Sequence, residues 1–284
     1  MNIWNEYSNK IVVTLADQKN IVAMKQFDDG RLITANGNRE VKIWNVSLST
    51  PLVTLRQPSS VLAVEIINSY IIACTAASAV KIWDINTSTA LGTISGHIGS
   101  VNDLELLNDG SLVSASADMT IKIWDITNPA AAVLKFTLGH RKSVACLEQL
   151  GGDLLASGSD DLSVKIWNFK TGACLFTLIG HSFQINALKL LSDGSLASGS
   201  RDKTIKIWNP NTGALLRTLT DAYEIRCLDL LGGDILMSGN LNGIVKFWNA
   251  TTGTSLSSLT AYNLNSVVAL INFKMSSYGN LNLF

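Results

Sequence analysis

The chain has 284 residues, 22 of them basic and 22 acidic, and its formal net charge is zero. That balance argues against a general electrostatic grip on nucleic acid or an anionic membrane, which needs an excess of Lys and Arg. Mean hydropathy is +0.25, but no apolar run approaches the roughly 20 residues of a membrane-spanning helix, so strand-rich packing is the implied cause.

The first residues, Met1-Asn2-Ile3-Trp4-Asn5-Glu6, do not read as a basic segment followed by an apolar one. Four cysteines follow, Cys74, Cys146, Cys174 and Cys227, with no C-x-x-C pair and no His at a metal-ligand spacing. No metal, disulfide framework or cofactor is expected. Cys146 and Cys227 share one register of two repeats and read as small core hydrophobes. Together these features suggest a reducing compartment, the cytoplasm or the nucleus.

Tryptophan sets the organisation. It stands at 4, 44, 83, 124, 167, 208 and 248, spaced 39 to 43 residues apart, each time in a version of Lys-Ile-Trp-Asp/Asn. A fixed period of this length marks a repeat architecture. The clearest copy predicts four strands: Val101–Leu107, Ser111–Ser116, Thr120–Asp125 and Val133–Leu138. Asn108-Asp109-Gly110 and Ala117-Asp118-Met119 supply the turns. Helical periodicity is absent, and β-branched residues dominate. In the third strand Ile121 and Ile123 face one side and Lys122 and Trp124 the other. A sheet apolar on both faces needs a neighbour on each side, which leads to a ring of blades.

With Gly96-His97, Gly139-His140 and Gly180-His181, and with Ser114-Ala-Ser-Ala-Asp118, Ser157-Gly-Ser-Asp-Asp161 and Ser198-Gly-Ser-Arg-Asp202, the sequence resembles the WD40-repeat family of β-propellers. The resemblance implies a hydrogen-bonded structural tetrad in three repeats: His97, Ser114, Asp118 and Trp124; His140, Ser157, Asp161 and Trp167; His181, Ser198, Asp202 and Trp208. Other repeats depart from the pattern. That of Trp44 has Asp17, Thr34 and Asn38; that of Trp83 has Gln57, Ala73 and Ala77; that of Trp248 has Asp221, Ser238 and Asn242. Looser blades are expected there. The fold expected is all-β, a single-domain seven-bladed propeller over residues 1–284. Its closing blade takes residues 263–284 and 1–15, with the two ends meeting inside one third strand. The cut within a strand raises the alternative of an excerpted, rearranged or designed propeller with no evolved partner.

Three Ser-His-Asp sets suggest a hydrolase, but a catalytic constellation has no reason to recur in successive repeats. Buried polar groups satisfying one another is the simpler account. The Asp-Gly pairs at 29–30, 109–110 and 193–194 lack the alternating carboxylates of a calcium loop and read as turns. An enzyme with a site on the first strands is a third reading; those strands carry scattered single acids, such as Glu65, Asp103 and Asp229, and no catalytic cluster. The resemblance puts docking on the face bearing the Gly-His loops. Mapped onto this chain, that face offers Arg141, Lys142, Ser143, Asp160, Phe183, Gln184, Asn186, Arg201, Tyr223, Glu224, Arg226, Tyr262 and Ser266. Elsewhere on it stand Asn20, Val22, Leu62, Ala76, Ser100 and Asn102. Arg beside exposed aromatics is the composition of interface hot spots. The expectation is a monomeric, non-catalytic scaffold binding a protein or peptide, with recognition of an acidic or phosphorylated peptide as the alternative.

Overall fold

Three first-to-second strand hairpins turn on a glycine. In the computed structural model, Gly30, Gly110 and Gly194 lie in the left-handed region, at φ 86°, 80° and 82°. The preceding Asp accepts from the backbone two residues on: Asp29 Oδ1 from Arg31 N, Asp109 Oδ1 from Ser111 N and Asp193 Oδ1 from Ser195 N, at 2.9–3.0 Å. These Asp-Gly pairs link first to second strands. The residue after Trp83, Trp124, Trp167, Trp208 and Trp248 does a similar task before the fourth strand. Asp84 and Asn168, for example, accept from the backbone N–H groups two and three residues ahead. Only an acceptor oxygen is used, so Asp and Asn serve alike.

The structure describes residues 21–45 and 50–260 with their side chains, and the backbone of Asn2–Asn5, Lys10–Thr14, Ile271–Met275 and Gly279–Leu283. Six blades are each four consecutive antiparallel strands in simple order. The Trp124 blade runs Val101–Leu106, Leu112–Ser116, Thr120–Asp125 and Val133–Gly139, within a residue or two of the limits predicted. The Trp167 blade runs Val144–Gln149, Leu154–Ser159, Ser163–Asn168 and Ala173–Ile179. The Trp44, Trp83, Trp208 and Trp248 blades repeat the pattern.

The expectation of a seven-bladed propeller is corrected. Six blades, not seven, are built from consecutive strands, all between Ile21 and Thr260. The four remaining strands pair as one further sheet spliced from both chain ends, in the order Lys10–Thr14, Asn2–Asn5, Gly279–Leu283, Ile271–Met275. Counting tryptophans counts third strands, and Trp4 has no two strands ahead of it in the chain, so its sheet is not a blade of consecutive strands. Nor do the ends share one third strand. Asn2–Asn5 lies antiparallel beside Gly279–Leu283, with Ile3 opposite Leu283, Trp4 opposite Asn282 and Asn5 opposite Leu281. Lying side by side gives both segments ladder hydrogen bonds, which end-to-end abutment cannot do.

The chain divides into two compact units. One holds Met1–Asp118, Lys122–Phe136 and Ile271–Phe284; the other holds Met119–Ile121 and Thr137–Leu270. In the first, the core lies between neighbouring sheets: Ile33, Val41 and Ile43 of the Trp44 blade pack with Val61, Val64 and Ile72 of the Trp83 blade. In the second, Ala156, Val164 and Ile166 pack with Ile185, Leu188 and Leu196 of the next blade, and Ile205 and Ile207 pack with Ile225 and Leu236. Ala73, Val80 and Ile82 of the Trp83 blade pack in turn with Val101, Leu104 and Leu112, so the Trp83 and Trp208 sheets are covered on both faces, as the Ile/Trp alternation requires.

Candidate functional site

The three full tetrads form continuous chains of hydrogen bonds. In the Trp167 blade, Trp167 Nε1 donates to Ser157 Oγ at 2.8 Å, Ser157 Oγ meets His140 Nε2 at 2.7 Å, and His140 Nδ1 meets Asp161 Oδ2 at 2.9 Å. The same contacts join Trp124, Ser114, His97 and Asp118 at 2.8–2.9 Å. They join Trp208, Ser198, His181 and Asp202 at 2.7–2.8 Å. An indole can only donate, so the serine accepts from it and gives its own proton to Nε2; Nδ1–H then donates to the carboxylate. Burial depresses the pKa of all three histidines below its ordinary 6.5, against the opposing pull of the aspartates. Asp161 is drawn down to about 2 despite its burial, by hydrogen bonds from Ser163, the Arg141 backbone and His140.

Each aspartate also accepts from the backbone N–H after its histidine: Ile98, Arg141 or Ser182, at 2.9–3.0 Å. The tetrad thereby ties the Gly-His loop to the hairpin of its own blade. The three serines are wholly buried. A nucleophile needs access to substrate, and these hydroxyls are occupied on both sides, so the sets are structural.

The Trp44 and Trp248 blades keep the indole bond, Trp44 Nε1 to Thr34 Oγ1 at 2.9 Å and Trp248 Nε1 to Ser238 Oγ at 2.8 Å. In the Trp248 blade Asp221 takes the histidine's place. It pairs with Lys246 at 3.2 Å and accepts from Asn240 Nδ2 at 3.3 Å. Sequence reasoning pointed to Asn242 and missed both Asn240 and Lys246. The Trp83 blade corrects another reading. Cys74, not Ala73, stands opposite Lys81, as Ser157 stands opposite Lys165. Its hairpin loop is Ala77-Ser78, one residue shorter than 160–162, so counting back from the tryptophan lands one place early. Ala76 is consequently buried rather than on a face.

Of the docking residues expected on the Gly-His face, those from Arg141 to Arg226 lie within the second unit, and Val22, Leu62, Ala76, Ser100 and Asn102 within the first. Arg141, Lys142 and Arg201 are exposed; Phe183 and Tyr223 are exposed at 56% and 40%. Glu224 is flanked by two guanidiniums, with Arg201 Nε at 3.1 Å and Arg226 Nη2 at 2.9 Å from one carboxylate oxygen. Asn186 Nδ2 donates to the Ile225 carbonyl at 2.6 Å. Gln184 is half-buried, and its Oε1 has no partner among the described residues; neither does Arg226 Nε. Burial raises the pKa of Asp160, with Lys142 and Arg201 opposing. Tyr262, Ser266 and Asn20 lie outside the described residues. Leu241, exposed at 39%, is an omission of the sequence reading. It occupies the position of Arg201 in the next blade, and its N–H bonds the Glu224 carbonyl at 2.9 Å. No group of His, Cys, Asp and Glu able to hold a metal occurs among the described residues. No helix among them is long and apolar enough to cross a membrane.

Three segments, 88–125, 132–168 and 172–209, match the family model described as WD domain, G-beta repeat. They are the three stretches that carry a complete tetrad. These are WD40 repeats. The blades around them are those of a β-propeller. None of the curated proteins matches the chain. WD40 propellers generally mediate protein–protein interaction and are typically non-catalytic.

Proposed function

We propose that this chain is a non-catalytic scaffold whose docking surface is the loop rim of the Trp208 and Trp248 blades. The observation that carries the reading is an apolar group, Phe183, Tyr223 and Leu241, exposed beside the Arg201–Glu224–Arg226 cluster. Exposed aromatics next to arginines on a hydrogen-bonded rim are what a hot spot needs, and a rim held by the Trp208 tetrad and the Asp221–Lys246 pair loses little freedom on binding. The partner is a protein or peptide, with residues 1–284 acting as one monomeric domain. Three buried free thiols and the exposed Cys174 suit a reducing compartment. Recognition of a phosphorylated or acidic peptide ranks second: Glu224 already engages Arg201 and Arg226, and Asp160 stands close to Lys142 and Arg201.

The test compares wild type with Phe183→Ala/Tyr223→Ala as baits in a cell extract, after their melting temperatures are shown to agree. Proteins captured by wild type and lost from the variant support this surface. Identical captures by both remove it. Preference for phosphorylated over unphosphorylated peptides, lost in Arg201→Glu, would bring the second reading forward.

A further inference from the structure

The Trp83 blade has the backbone of its neighbours but not their polar chain. Gln57 N donates to Arg39 O at 2.8 Å, as His140 N does to Met119 O at 3.0 Å. The Gln57 amide therefore enters the blade where the imidazoles do, and Gln57 is as buried as His97 and His181. The residue after it is Pro58, which has no N–H of the kind Ile98, Arg141 and Ser182 give to their aspartates. The carboxylate and its backbone donor are thus missing together. The thiol of Cys74 stands close enough to the Trp83 indole to be influenced by it as a weak hydrogen-bond donor, against the burial that raises the thiol's pKa, but the contact falls short of hydrogen-bond geometry and Trp83 Nε1 is left without a partner among the described residues.

Four buried polar atoms are left without a protein partner: Gln57 Oε1 and Nε2, Ser59 Oγ and Trp83 Nε1. Left dry they would forfeit their hydration with nothing in exchange. The groups are neutral and include donors and acceptors. Lys81 Nζ lies 5.7 Å from the Trp83 ring centre, which disfavours a cation; an anion would have that one lysine but not the backbone N–H that the tetrad carboxylates accept from, because Pro58 has none. What suits such a set is a small neutral molecule that both donates and accepts. We propose that the Trp83 blade binds internal water, bridging Gln57, Ser59 and the Trp83 indole where a WD40 repeat places its His–Asp pair.

A crystal structure of the whole chain at high resolution tests this directly. The expected result is ordered density within about 3.2 Å of the Gln57 amide and of Ser59 Oγ or Trp83 Nε1. Absence of that density overturns the proposal. Gln57→Leu is the second arm. Removing a water-bridging amide loses the density and lowers the melting temperature; replacing a dry amide raises it, which would also overturn the proposal. Should the variant fail to fold, the wild-type density alone decides.

Discussion

At the scale of single residues, the tetrad serine is the position where the most depends on one atom. Ser157 Oγ serves the Trp167 indole and the His140 imidazole together. Ser157→Ala leaves a buried donor and a buried acceptor without partners, at about 1–3 kcal/mol. Denaturant unfolding should show that loss with an unchanged m-value; stability equal to wild type would mean the chain of bonds contributes nothing. Gly199 shows the opposite constraint, one of space. A Cβ there would stand 2.6 Å from Ile225 Cγ2 and 3.3 Å from Leu228 Cγ, in the next blade's first strand. Gly158 faces Ile185 in the same way. The glycine of Ser-Gly-Ser is therefore a seat for the neighbouring isoleucine. Gly199→Val should destabilise by about 1–3 kcal/mol through overpacking, and the added variant Ile225→Ala should recover part of that loss. A purely additive pair would show the two residues do not share the space.

Between blades, the same backbone holds different polar solutions. Where Asp221 replaces histidine, Lys246 reaches it, so an ion pair stands in for the imidazole–carboxylate bond. Lys246→Met strands a buried carboxylate. With the lysine about a quarter exposed, the expected cost is on the order of 2 kcal/mol, read as a lower denaturant midpoint; the equivalent change Lys206→Met, where Nζ donates to the neutral Thr218 Oγ1 at 3.1 Å, should cost less. Blades with a full tetrad were legible in the sequence because their residue types are unusual and their spacing is fixed. The Trp248 solution was not, because Asn and Lys occur throughout and nothing in their spacing announces a contact. The Trp83 blade misled for a different reason. Its hairpin is one residue short, so counting ten back from the tryptophan gives Ala73, whereas strand pairing gives Cys74. Leu241 was legible by position, as the counterpart of Arg201, but a leucine in a repeat reads as core until its exposure is known.

For the molecule as a whole, two properties follow from summing these parts. The first is acid sensitivity. Three buried histidines are held below their ordinary pKa of 6.5. The unfolded chain binds protons there first, so stability falls as pH drops through 6.5. Asp161, held at about 2 against 3.8, removes more stability between those two values. Both contributions have one sign: stability is complete above pH 7 and declines through pH 5, with a limiting slope of about 1.4 kcal/mol per pH unit per histidine. Melting curves at pH 7.5, 6 and 5 should show it, and a melting temperature unchanged over that range would contradict the neutral-imidazole assignment. The second is the seam. Every other sheet is threaded by hairpins, but the terminal sheet joins Asn2–Asn5 to Gly279–Leu283 through three paired positions with no covalent link across them. Antiparallel partners sit about 4.5–5.5 Å apart at Cα, within the span a disulfide bridges. Ile3→Cys/Leu283→Cys in a Cys174→Ser background should therefore oxidise to an intramolecular crosslink. The loop it closes is nearly the whole chain, for which the loop-entropy gain in stability is on the order of 5 kcal/mol. A raised melting temperature that reductant reverses is the expected result. A dilute protein that forms no crosslink, or one whose melting temperature the crosslink leaves unmoved, would mean that the two ends do not limit the stability of the fold.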